Sequence, residues 1–555
     1  MPWNTRPSFA EGNGSKHAVV SIRYLPTMKQ LYTAVLLFAT GTLAAQDLLW
    51  LHSEPVGWNL NYQMPNHQVR TSANGLVGGL RGFGPAMNYG QEIFSSLAVD
   101  WIDPLTGIPF ATCAMSDSVS MESMAIAEDG TIYVAGRFMG AIQFCDGNTI
   151  GGPVGFLDTD LFLAAFDGTS FGLQWARNIS TAHPDGQGIP ALEFDADGTL
   201  WYGLEEFETL RLISVDALGT DDQEITITGT RSLGGFGFDP WNNLYVTGST
   251  GLNESPLSFG GQSVPVTDTY GLFILRMRAD GSGHWAQIGS AGTFHNPDVA
   301  VDPNGNAFIS SGILTATAFS TLQFNGPNWA NDVFLAQVDS TGAFLWGVES
   351  APTGGNITGD MAQSHMRSID CDAAGNVYLT GTVRGQTQWG NGVVSDAITL
   401  GAYAQTVVAF SNNGTPQWAI TSIPGQITAQ AVSCDPSGVV YFTGHVNGPY
   451  TMASVMVNSG GLQAFVDGRI DGLGTGIDAI GSSTFSAWPI PSSSNLMVRS
   501  TGSRATPAEL LSATGQVVLR QTLVPGINTL DLTSLDAGIY LLRTADGNTV
   551  RVVKE

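Results

Sequence analysis

CDAAGNVYLTGTV, residues Cys371 to Val383, is one copy of a phrase that the chain repeats. VDPNGNAFISSGI (Val301 to Ile313) and FDPWNNLYVTGST (Phe238 to Thr250) precede it, and CDPSGVVYFTGHV (Cys434 to Val446) follows. Each copy reads as an apolar strand, Asp-x-x-Gly-Asn, a second apolar strand and Thr-Gly. The Asp is placed to accept backbone N–H groups across a tight turn. The Gly supplies the left-handed conformation that a bulged hairpin requires. So the repeated acid is read as structural rather than catalytic. The strands are apolar on successive residues, the pattern of a sheet covered on both faces.

The turn glycine or its substitute recurs at Gly75, Gly130, Gly198, Asn242, Gly305, Gly375 and Gly438, a mean step of about 60 residues. A second phrase lies between these anchors: DLFLAAFDGTSFGLQW (Asp160 to Trp175), GLFILRMRADGSGHW (Gly271 to Trp285), DVFLAQVDSTGAFLW (Asp332 to Trp346) and AQTVVAFSNNGTPQW (Ala404 to Trp418). Two hairpins per unit give four strands, one propeller blade. The expected fold is therefore all-β: a seven-bladed β-propeller of four-stranded blades. LLWLHSE (Leu48 to Glu54) carries Trp50 where other units have their hairpin-closing Trp, so it is expected to complete the last blade. The unit at Gly198 is short and lacks the Thr-Gly ending. A sandwich array or an open solenoid would show the same local pattern. The units resemble the bacterial SBBP-type repeats, named for a seven-bladed β-propeller, over roughly Asp47 to Ser482. That resemblance speaks to fold, because propellers serve many activities.

The composition, 43% hydrophobic and 12% charged with 69 Gly, suits an all-β chain rich in tight turns. The net charge is -26, and beyond the first thirty residues the only lysine is Lys554. Such a surface disfavours nucleic acid and anionic membranes, since it has no row of cations to neutralise phosphates. Met28-Lys29-Gln30, the apolar run LYTAVLLFATGTL and Ala44-Ala45-Gln46 are the parts of a secretory signal peptide, expected over 28–45. Residues 1–27 then read as an unstructured upstream extension, with translation starting at Met28. No later run resembles a membrane span. The cysteines Cys113, Cys145, Cys371 and Cys434 show neither a disulfide framework nor a metal knuckle, and Cys371 and Cys434 are read as buried free thiols.

After the propeller (46–482) comes a Ser/Pro-rich linker (483–495), and then a small C-terminal β-sandwich (496–555) of short strands between Gly turns. This tail resembles the type A C-terminal sorting domain of the type IX secretion system of Bacteroidota. The resemblance rests on Leu496-Met497-Val498, on Ala513-Thr514-Gly515-Gln516-Val517-Val518, on Gly526-Ile527-Asn528 with Asp531 and Leu532, on Leu535, on Gly538-Ile539-Tyr540, and on Lys554. The family opens with Pro-Asn-Pro, whereas this chain has Pro489-Ile490-Pro491. The resemblance implies export through the periplasm, passage across the outer membrane by the type IX machinery, and a surface-attached or secreted product.

Sites of chemistry are sparse. No G-x-S-x-G elbow, HExxH or phosphate loop stands in a supporting context. FDADG (Phe194 to Gly198) is the nearest approach to a calcium loop, but it lacks enough oxygen ligands. Glu205, Glu206 and Glu208 form an acid group that suits a glycosidase pair or a solvated loop. His295 and His365 each stand ten residues before a turn Gly, near the channel, with Asp298 or Asp360 to orient them and His67 at a corresponding place. Two histidines fall short of the usual three metal ligands, so neither metal nor cofactor is expected. The leading expectation is a non-catalytic binding or adhesion module for a glycan or surface protein. The alternative is a glycan-degrading hydrolase or lyase at the channel mouth, and a third possibility is a purely structural spacer.

Overall fold

The Asp-x-x-Gly turns close as their residues require. Asp372 Oδ1 accepts the amides of Ala374 and Asn376, both at 2.9 Å, and Oδ2 takes the Asn376 side chain at 2.8 Å and the Tyr378 hydroxyl at 3.0 Å. Asp195, Asp239, Asp302 and Asp435 bind their own turns in the same way. Gly375 has φ +77°, and Asn242, which replaces the glycine in one copy, has φ +60°. Asparagine tolerates that region better than other side chains.

The structure, a computed structural model, describes residues 48–55, 65–83, 86–88, 91–93, 97–116, 119–152, 159–251, 255–267, 271–289, 294–326, 331–352, 360–363, 366–397, 402–471, 485–488, 492, 494–500, 505–512, 516–544 and 549–554. The expected extension and signal peptide lie outside these residues. The described chain is all-β apart from one 3-10 turn at Ile179–Thr181.

Four-stranded antiparallel ladders follow one another. The first sheet is Pro65–Thr71, Val77–Phe83, Ala98–Ile102 and Pro109–Ala114, and the second is Val119–Ile126, Ile132–Phe138, Asp160–Phe166 and Leu173–Asn178. The third is Gly188–Phe194, Leu200–Glu206, Thr209–Val215 and Asp221–Thr228, so the short unit makes a full ladder. The fourth is Thr230–Phe238, Leu244–Thr250, Leu272–Met277 and Gly283–Ile288, and the fifth is Phe294–Val301, Ala307–Ile313, Asp332–Val338 and Phe344–Glu349. The sixth begins with a broken strand, Asp360–Gln363 and Ile369–Cys371, and continues through Val377–Gly390, Ala404–Phe410 and Pro416–Thr421. The seventh is Gln426–Cys434, Val439–Met452, Val455–Asp471 and, from the chain start, Leu48–Pro55.

The first strand of each sheet touches the first strand of the next, and that of the seventh touches Pro65–Thr71. Apolar side chains fill the seams: Ile189, Leu192 and Tyr202 meet Leu161 and Leu163 between the second and third sheets, and Phe308, Val333 and Leu335 meet Leu379 and Val408 between the fifth and sixth. Each such side chain contributes about 1.5–3 kcal/mol on burial. The seam between the seventh and first sheets has a smaller apolar cluster, Val69, Val77, Ile102 and Tyr441 with Trp50 and Val439 packed on it.

Most sheets also carry a hairpin inserted between their second and third strands, such as Ala141–Gln143 with Thr149–Gly151 and Thr317–Phe319 with Leu322–Phe324. Several inserts reach back to the outer strand of the preceding sheet. Phe259 pairs with Ile227, Gln388 with Ala351, and Met452 bridges to Ser422. One reach is covalent: Cys145 in the second sheet's insert is disulfide-bonded to Cys113 on the first sheet's outer strand. Cys371 is half-buried and Cys434 buried, and both are free thiols, as expected.

The tail forms two sheets. Phe485–Trp488, Asn495–Ser500 and Gly526–Asp531 make one, while Val517–Leu523, Thr506–Ser512, Gly538–Thr544 and Thr549–Lys554 make the other. One buried cluster, including Leu496, Val498, Leu510, Leu530, Leu542 and Val552, serves both.

Candidate functional site

Bulges interrupt most of the first strands, and at each a backbone amide leaves the ladder and needs another acceptor. At the third, fourth, sixth and seventh sheets the preceding sheet supplies it. Glu122 of the second sheet accepts the Ile189 amide at the third sheet's bulge. Glu205 of the third accepts the Leu233 amide of the fourth at 2.7 Å. Asp298 of the fifth accepts Ser368 N at 2.7 Å and Ile369 N at 3.1 Å, where the sixth sheet's strand is broken. Thr382 of the sixth accepts the Ala429 amide at 2.9 Å at the seventh's bulge.

These contacts decide several candidates. Asp298 is buried and fastens two sheets together, a duty the expected role of orienting a histidine did not foresee. Burial raises its pKa, against the pull of Arg367 and the two amides. His295 lies on the strand Phe294–Val301, paired with Gly312, but its side chain is outside the described residues, as are His365 and the side chain of Asp360. His67 turns toward the seventh sheet. Fully buried, it sets Nε2 3.1 Å from Asp467 Oδ1 and its ring 5.3 Å from Phe465, and burial lowers its pKa.

The acids of the third sheet separate. Glu206 pairs with Arg211 at 2.9 Å, and Glu208 occupies the turn with φ +52°. Glu205 is lifted to about 7, first by burial and then, against its amide bond, by Glu122. Glu122 itself is held by Arg137 and the Ile189 amide.

Where first strands converge, Arg70 donates Nε to Met124 O at 3.2 Å and Nη2 to Glu193 at 2.8 Å. Arg367, from the far side of the sequence, meets the same Glu193 oxygen and reaches Asp370 at 3.2 Å. Gln68 donates to Glu122 O at 3.0 Å and approaches the Met366 sulfur. About 20 Å³ remains for water centres among these groups, room for one molecule. In FDADG, Asp195 accepts Trp201 Nε1 at 3.0 Å and Asp197 accepts Asn242 Nδ2 at 2.7 Å. Among the described residues no group of three His, Cys, Asp or Glu is placed to hold a metal.

In the tail, Asn528 is the best-anchored motif residue. Its Nδ2 donates to Val524 O at 2.8 Å and Gly526 O at 3.1 Å, and its Oδ1 accepts Val524 N at 2.9 Å, which fixes the turn at Gly526 (φ +100°). Asp531 accepts the Thr533 amide at 2.8 Å, Tyr540 donates its hydroxyl to Asp536 O at 2.7 Å, and Leu532 donates its amide to Ser494 O at 2.7 Å. Leu535 N bonds Leu532 O at 3.0 Å, and Gly538 pairs with the buried Lys554. Pro489, Pro491 and Gly515 lie outside the described residues.

The described chain is thus an all-β protein whose sheets succeed one another in propeller fashion, followed by the two sheets of the tail. Residues 486–555 match the secretion system C-terminal sorting domain, so the chain carries the domain that directs export to the cell surface or release by the type IX secretion system. No curated protein matches the chain. Among solved structures it is similar to the Dos1 propeller (8% identity, TM-score 0.36, 78% of this chain and 96% of that one). It is also similar to PorZ, a surface component of the type-IX secretion system of Porphyromonas gingivalis (11%, 0.28, 88% and 70%), and to prolyl oligopeptidase B from Galerina marginata (10%, 0.35, 80% and 57%). Among the described residues no helix is long and apolar enough to cross a membrane.

Proposed function

We propose that this is an exported, non-catalytic binding or adhesion protein: a closed seven-bladed propeller of the SBBP-type, made by a member of the Bacteroidota. It enters the periplasm by the signal peptide at 28–45 and crosses the outer membrane by its tail. The propeller (46–482) is the cargo, 483–495 the linker and 496–555 a β-sandwich that the type IX machinery reads. The observation that carries this reading is the sorting domain at 486–555 behind a chain in which two candidate acids, Glu205 and Asp298, are occupied in joining sheets. Deleting residues 485–555 should leave the protein in the periplasm, measured by fractionation and surface proteolysis. Normal surface delivery of that truncation would refute the sorting role.

A second reading, a glycan-degrading hydrolase or lyase, draws on Glu205, which titrates near neutrality beside Glu122. Glycoside hydrolysis uses a pair of carboxyl groups, one of them a general acid with a raised pKa. Turnover of a glycan panel by the full chain, abolished by Glu205→Gln, would replace the binding reading with this one.

A further inference from the structure

One row of the ladders repeats around the molecule. An aromatic residue on the second strand meets a tryptophan on the fourth: Tyr133 with Trp175, Tyr245 with Trp285, Phe308 with Trp346, Tyr378 with Trp418, and Tyr441 with Trp50, all with ring centroids 6.0–6.2 Å apart. Four of these tryptophans lie flat against the turn glycine of the next sheet's second hairpin. A Cβ placed on Gly107, Gly219, Gly342 or Gly414 would stand 2.3–2.9 Å from the indole of Trp50, Trp175, Trp285 or Trp346. Three of the four indoles donate Nε1 to a carbonyl of that turn: Trp50 to Pro104 and Trp285 to Ser340, each at 3.0 Å, and Trp346 to Asn412 at 3.2 Å.

The first sheet lacks the pair, with Gly78 and Ala111 on either side of Trp101, and the third sheet breaks the row in another way. Its second-strand aromatic is Trp201, but the fourth-strand position, between Asp221 opposite Val215 and Glu224 opposite Ile213, falls on the exposed Gln223. A Cβ on the facing turn glycine of the fourth sheet, Gly281, would meet nothing within 4 Å. The vacated slot opens a groove of about 500 Å³, the size of a small-ligand site. Trp201 and Phe238, with centroids 5.5 Å apart, line it together with Ala279, which stands two residues before Gly281 as Ser340 and Asn412 stand before Gly342 and Gly414. Five carboxylates, among them Asp195, Asp222 and Asp280, line the groove beside one guanidinium, Arg278.

We propose that this groove between the third and fourth sheets binds a pyranose ring without negative charge, a neutral hexose or amino sugar of a glycan. The slot is shaped for a flat ring on a glycine, and aromatic side chains suit the apolar face of a sugar. Carboxylate oxygens are strong acceptors for hydroxyl or ammonium donors, and each carries more than one lone pair. Asp195, Asp197, Glu224 and Asp280 already take donors of the protein, so Asp222 leads the acceptors the groove offers a ligand, with the spare lone pairs of the other four beside it. The same carboxylates repel uronate and sulfated rings. The site rests on the binding-module reading above and names its ligand class.

The test uses the full chain and a panel of glucose, galactose, mannose, glucosamine, N-acetylglucosamine, glucuronate and their short oligomers, read by calorimetry and saturation-transfer NMR. Binding of one or more uncharged or amino sugars is expected, weakened at least tenfold by Gln223→Trp and several-fold by Asp222→Asn. Gln223→Trp completes the aromatic row, so its melting temperature should hold or rise, which separates loss of the ligand from loss of the fold. Sugar binding that survives Gln223→Trp, preference for glucuronate, or no binding across the panel would each overturn the groove assignment. Survival in Gln223→Trp would leave the binding-module reading standing, whereas turnover of a panel oligomer would overturn that reading instead.

Discussion

Glu193 is the residue on which two guanidinium groups depend. Arg70 and Arg367 approach the same oxygen, and both side chains are largely removed from solvent. Glu193→Gln leaves Arg70 with backbone carbonyls and Arg367 with Asp370. Orphaning a partly buried charge in this way should cost about 3 kcal/mol in urea unfolding, and adding Arg70→Met should recover part of it. Glu205 makes a prediction of opposite character, because burial lifts its folded-state pKa from 4.5 to about 7. The native state therefore binds this proton more tightly than the unfolded chain does. Its contribution is present below about pH 4.5 and is lost as pH rises toward 7, a decline of roughly 3 kcal/mol. Glu205→Gln should flatten that part of the stability–pH curve, and an unchanged slope would show that the group titrates normally in the fold. The turn duties of Asp372 and Gly375 were legible from spacing alone, since both act within five residues of sequence. The duty of Asp298 was not, because its acceptor role depends on a break in a strand seventy residues away.

At the scale of elements, hairpins were read well and inserts were missed. The Asp-x-x-Gly phrase and its tryptophan partner each announce two strands. The inserted hairpins have short strands with mixed burial, such as Ala141–Gln143, and so leave little periodicity to find. They account for a repeat longer than four strands need. The same omission hid the disulfide, for Cys145 stands on an insert and only the backward reach of that insert brings it to Cys113. Replacing both cysteines with serine should lower stability by about 2–4 kcal/mol, with protection from amide exchange lost first in Ala141–Gly151. Equal loss across all sheets would contradict the local clasp. The tryptophan row gives a further test: Trp346→Ala uncovers Gly414 and removes a bond to Asn412 O. It should cost about 2–4 kcal/mol, whereas Gln223→Ala, in the vacated slot, should change stability by less than about 0.5 kcal/mol.

For the molecule as a whole, the decisive element is the strand Leu48–Pro55. The sequence suggested its place through Trp50, and the pairing of Leu51 with Gly468 and Ser53 with Val466 bears that out. What the sequence did not disclose is how polar the seam is that this strand completes: His52 and Glu54 approach Asp467 and Arg81, with His67 enclosed beneath. Removing residues 47–55 would expose the edge of Val455–Asp471 and uncover Gly107 where the Trp50 ring lay. An unpaired edge of that length invites pairing with another chain. The truncated protein should therefore unfold at lower temperature and form concentration-dependent oligomers, seen by light scattering. A synthetic peptide of residues 47–56 should reverse both effects, and the same peptide with Trp50→Ala should do so less well, because register alone cannot refill the slot on Gly107. If the truncated chain stays monomeric and melts as the intact one does, the first and seventh sheets are held together by their inner strands, and the chain start is an ornament rather than the clasp.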